Sequence, residues 1–61
     1  MHEFTTTTLR VALGVTHDLW LESLALYGSE HPREVRWRRQ AEMIEIVLER
    51  RLAAQAAREN D

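Results

Sequence analysis

The sequence predicts a mainly α fold, in which an N-terminal strand, paired with the same strand of a second copy, is followed by two helices. Three observations lead there. The run TTTTLRV (5–11) has strand character, two longer runs have helical apolar periodicity, and a chain of 61 residues without cysteine needs association to be stable. Cores below roughly 70–80 residues seldom supply more than about 3–5 kcal/mol unless a disulfide, a metal or a second copy staples them. Composition excludes disulfides, and His2, His17 and His31 are too scattered for a zinc site. With 44% hydrophobic residues, an obligate homodimer is the expected staple.

The strand comes first. Threonine's branched Cβ crowds a helical turn but packs well on a pleated surface. Split by parity, Thr7, Leu9, Val11 and Leu13 share one face, and Thr6, Thr8, Arg10 and Ala12 share the other. One face is apolar; the other is small, polar and basic. Gly14 breaks the run. A lone strand leaves its N–H and C=O groups without a ladder, and no second strand follows in the chain. The partner must be another copy, paired antiparallel in a two-stranded ribbon whose apolar face lies on the helices.

The first helix is expected over about 17–27, with Thr16 as N-cap and Asp18 in the first turn, where a carboxylate suits the helix dipole. Trp20, Leu24 and Tyr27 recur at i, i+4 and i+7, and Leu19, Leu21, Ala25 and Leu26 widen the apolar arc until it needs more than one neighbour. Gly28 suits the position after the last helical residue, and GSEHP (28–32) is the loop. The second helix starts either at Pro32, with Glu34 close behind it, or near Arg39 after an irregular REVRWRR (33–39). Trp37, Ala41, Ile44, Leu48 and Leu52 mark its apolar face, widened by Met43 and Val47. LAAQAAREND (52–61) either extends this helix or forms a tail that orders on a partner. The whole of 1–61 reads as a single domain, with 1–4 and 59–61 expected to fray and Leu9, Val11, Leu24, Ile44 and Leu48 expected to be largely buried in the dimer.

The formal net charge of −2 hides an asymmetry. Up to His31 there is one arginine, Arg10, against Glu3, Asp18, Glu22 and Glu30, whereas REVRWRR carries four arginines against one glutamate. All basic residues are arginine, a residue suited to bidentate phosphate or carboxylate contacts, although high genomic GC content produces the same bias. No signal-peptide pattern opens the chain and no apolar run approaches roughly 18 residues, so a cytoplasmic protein without membrane contact is expected. Catalysis is not expected: there is no Gly-rich phosphate loop and no nucleophile beside a base. Glu42, Glu45 and Glu49, with Arg38 and Arg50 nearby, read as a solvated helix face. No cofactor is implied.

Two segments, TTTLRV (6–11) and AEMIEIVLERRL (41–52), carry a resemblance to the ribbon-helix-helix DNA-binding proteins of the Arc and MetJ type. The first is similar to that family's ribbon and the second to its core helix. Two features depart from the pattern: ALGV (12–15) separates strand from helix, and about a dozen residues (28–39) separate the clear helical cores. The resemblance implies a homodimer that inserts its ribbon into the major groove of double-stranded DNA, as a transcriptional repressor, a plasmid-type regulator or the antitoxin partner of a toxin. Thr6, Thr8 and Arg10 would then meet base edges, and Arg36, Arg38 and Arg39 would grip phosphates.

Plainer readings stand beside each assignment. A threonine run favours a strand whether or not it reads bases, Arg10 reads equally as a solvated charge, and the later arginines also fit an ordinary charged helix face. Trp37 reads as a core or dimer anchor rather than a stacking platform. The alternative for the whole chain is a helical oligomerisation or adaptor module that binds a protein partner without DNA.

Overall fold

A computed structural model describes residues 5–59, and two α-helices account for nearly all of them: α1, Thr6–Tyr27, and α2, Pro32–Glu59. They form an antiparallel hairpin joined by the four residues 28–31. Of the ends expected to fray, 1–4 and 59–61, residues 1–4 and 60–61 lie outside the described residues, whereas Glu59 is the last residue of α2.

The expected strand is overturned: the described residues contain none, and Thr6, Thr7 and Thr8 form the first turn of α1. Thr5 supplies the cap. Its backbone is extended, at φ −71° and ψ 163°, and its hydroxyl accepts a hydrogen bond from the Thr8 N–H at 3.0 Å. The first threonine of the run therefore starts a helix. A helix satisfies its backbone groups within one segment, whereas a strand here would need a second chain. Against that difference, the helical penalty of a threonine is only a fraction of a kcal/mol.

Residues 12–15, expected to separate two elements, lie within α1, and Gly14 sits on the exposed side of the helix without breaking it. Thr16 is not a cap. It is buried in mid-helix, and its hydroxyl donates to the Ala12 carbonyl oxygen at 2.7 Å, so its polar group is satisfied without leaving α1. At the other end Gly28 terminates α1 as expected: φ is +86°, and its N–H donates to the Leu24 carbonyl at 3.0 Å. Of the two starts considered for the second helix, Pro32 is the observed one.

The core between the helices is narrow. Leu9, Thr16 and Ser23 are the buried residues of α1, each seven positions apart, and Glu34, Ala41 and Leu48 repeat that spacing in α2. Bonds from Gln55 to Thr6 and from Trp20 to Glu34 set the antiparallel register. In that register Leu9 lies level with Leu48, Thr16 with Ala41, and Ser23 with Glu34. One layer is apolar and large, one is small, and one is polar. Of the five residues expected to be buried in the dimer, Leu9 and Leu48 are already buried within one hairpin and Ile44 is half-buried there, while Val11 and Leu24 are exposed on the single hairpin. The assignment of Val11 followed strand parity, which a helix does not obey.

Candidate functional site

The best-built local structure surrounds Glu34 at the loop. Glu34 is the third residue of α2, and its side chain is 1% exposed. Its Oε1 accepts the Glu30 N–H at 2.8 Å, in the manner of a capping box that reaches back over the helix start. Its Oε2 accepts the Trp20 indole N–H at 2.6 Å, which ties the start of α2 to the middle of α1. Arg38, one turn further on, places Nε 3.6 Å from Glu34 Oε2 and Nη1 3.3 Å from Glu30 Oε1. The Glu30 N–H and the Trp20 indole hold the Glu34 carboxyl below its ordinary range, desolvation works against them, and Arg38 adds to the lowering. Glu30 itself adopts φ +68°, a left-handed conformation imposed by the tight return of the chain. Beside it Tyr27 stacks on His31 with ring centroids 4.6 Å apart, and Arg33 donates to the Tyr27 hydroxyl at 2.9 Å. This cluster fastens a turn; every buried polar side-chain atom among the described residues has a partner, and none is left aimed at a ligand.

The residues expected to contact DNA are not gathered on one surface. Because α1 is helical, the alternation that put Thr6, Thr8 and Arg10 on one strand face no longer holds: Thr6 and Arg10, four residues apart, stay near one side, and Thr8 is turned to the other. Thr6 accepts from the Gln55 amide at 3.2 Å. Thr8 lines a groove of about 220 Å³ with Leu9, Ala12, Gln40 and Ile44. Arg10 lines a different groove, of about 480 Å³, with Leu13, Gly14, His17, Asp18 and Glu45. Arg36, Arg38 and Arg39 lie near the loop, toward the opposite end of the hairpin. Arg38 is committed to Glu30 and Glu34, Arg36 lies over the Trp37 ring at 5.8 Å, and Arg39 is exposed. The ribbon that would have united the first three residues is absent from the described residues.

A second feature extends along both helices. Val11, Val15, Leu21, Leu24, Leu26, Tyr27, Met43, Ile46, Val47 and Leu52 are all exposed, against a buried apolar core of Leu9, Ala41 and Leu48. The width of the α1 apolar arc and the Met43/Val47 widening of α2 were the sequence signals for this surface. The Glu34–Trp20 bond had no such signal, since it depends on how the helices pair.

Among the described residues no group of histidine and acidic side chains could hold a metal ion, and no helix is long and apolar enough to cross a membrane. Compared with models of known protein families, with curated proteins and with solved structures, the chain matches none.

Proposed function

We propose that the protein is a non-catalytic helical oligomerisation module, acting in the cytoplasm, whose hairpins associate by helix-on-helix packing. One observation carries this reading: the large apolar side chains left exposed far outnumber those buried between the two helices. Three apolar core residues are too few to stabilise a hairpin of this size alone, and exposed apolar surface on this scale marks an interaction site. Sedimentation of the chain at micromolar to millimolar concentration tests it. The reading expects a dimer or higher assembly that Val15→Glu or Val47→Glu dissociates; a parent chain that stays monomeric throughout overturns it.

A second reading, binding of duplex nucleic acid, is favoured by the charge pattern of α2. At helical spacing Arg36, Arg39 and Arg50 share its outward side with Met43 and with no acidic residue, and the only ion pairs among the described residues are those of Arg38. Such a face would contact phosphates, without the ribbon and without base reading by Thr6, Thr8 and Arg10. Binding to random duplex DNA that weakens steeply with salt, with a shallower slope in Arg39→Ala, is the expected result for this reading.

A further inference from the structure

The two flanks of the hairpin differ in a way that specifies a partner. The groove between Thr8, Ala12, Gln40 and Ile44 marks one flank. Steps of three, four and seven residues extend that flank along α1 through Val15, Leu19, Glu22 and Leu26, and along α2 through Arg33, Arg36, Val47 and Arg51. Val15, Leu26 and Val47 are exposed on it, as is Met43 at its outer edge. Its charge is divided by helix: the α1 half carries Glu22 and no basic residue, and the α2 half carries Arg33, Arg36, Arg51 and Arg58 and no acidic one. The opposite flank also exposes Leu21, Leu24 and Ile46, but its charge is divided the other way: Arg10 and His17 on α1 face a side of α2 that carries Glu42, Glu45 and Glu49.

We propose that the flank of Val15 and Val47 packs on the same flank of a second copy about a twofold axis parallel to the helices. Each α1 then lies on the other copy's α2, in a four-helix bundle with both loops at one end. The proposal deepens the oligomerisation reading and rests on it. Charge selects the orientation. About a parallel axis the two copies stand at equal height, so the hairpin's own register also holds between copies. Glu22 comes level with Val35 of the second copy, between its Arg33 and Arg36, and Val15 and Val11 each come within one residue of the level of its Met43 and Val47. Each of these contacts occurs twice. About an axis perpendicular to the helices, α2 would lie on α2 and α1 on α1, so the arginines would face arginines and Glu22 would lie against an α1 half that carries no basic residue. Like charges across an interface exclude that arrangement energetically. The hairpin measures 47 × 20 × 17 Å, and a broad side of 47 × 20 Å is commensurate with the ~800 Å² per partner of a stable interface.

Two measurements on the intact chain test the orientation. The sequence has no cysteine, so Ser29→Cys places one spin label in each loop. With helices spaced ~10 Å apart, labels at one end of the bundle are expected within about 25 Å of each other. Loops at opposite ends would instead separate them by most of the 47 Å length of the hairpin. Independently, Glu22→Arg and Arg36→Glu are each expected to raise the dimer dissociation constant about 10-fold, and the double reversal to recover most of that loss. Labels at opposite ends of a dimer, or a double reversal at least as weak as either single change, overturn this orientation and leave the oligomerisation reading standing. A monomeric parent chain overturns both.

Discussion

At the residue scale the fold depends most on Glu34, whose two carboxylate oxygens join the loop backbone to the Trp20 indole. Its folded-state pKa lies below its ordinary value, so the linked stability is present in full above ~4.3, the ordinary glutamate value, and is lost as pH falls through the lowered native value. Thermal melts between pH 6 and pH 2 are expected to show this acid-side loss. Glu34→Gln should melt lower at neutral pH and flatten the dependence, because an amide offers only one acceptor oxygen to two donors. A second single-residue effect sits at the other end of the hairpin. Thr5→Ala removes the hydroxyl that caps α1 and is expected to cost about 1 kcal/mol in a denaturant titration. The Arg38–Glu30 pair, with Glu30 well exposed, contributes little beside these.

At the scale of the elements, the two glycines have opposite roles. Gly14 lies inside α1 with nothing within 4 Å of the position a Cβ would take. Gly14→Ala is therefore expected to raise stability by about 0.5–1 kcal/mol, read as a higher denaturant midpoint and greater helicity. Gly28 also has open space around it, but at φ +86° a side chain is strained whatever the room. Gly28→Ala is expected to lower stability by about 1 kcal/mol in the same titration. The contrast is a direct check that α1 runs unbroken from Thr6 to Tyr27. A strand ending at residue 13 would respond little to alanine at position 14.

For the whole molecule, folding and association are expected to form one equilibrium, so the melting midpoint should rise with protein concentration. Leu48→Ala removes half of the one large apolar layer, opposite Leu9, and is expected to cost about 2–4 kcal/mol. That is a large share of what a hairpin this small can have, so calorimetry should show the variant largely unfolded at concentrations where the parent is folded. Val15→Glu tests a different term. Val15 is 55% exposed within one hairpin, so its replacement acts on association and not on the hairpin's own core: helicity should match the parent's at high dilution and fail to rise with concentration as the parent's does.

Much of the local structure was legible from residue chemistry alone. Gly28 as the end of the first helix, Pro32 as one of two starts for the second, the loop between them, and the placing of Leu48 in the core follow from conformational preference and helical period, which act within a few residues; Leu9 was placed there by strand parity and is buried instead as part of the inner face of α1. The threonine run was misread for a definite reason. Strand propensity ranks side chains in an existing sheet, whereas here no second strand was available and Thr5 could cap a helix with its own hydroxyl. Once 5–11 turned helical, the shared face of Thr6, Thr8 and Arg10 dissolved, because a period of two and a period of 3.6 distribute the same residues differently. The sequence by itself determined two helical segments, their loop and an excess of apolar side chains over what one hairpin can bury. Only the tertiary structure decided which of those side chains remain exposed, and that Glu34 would meet Trp20. Both depend on the register between helices, a long-range quantity that no local spacing encodes.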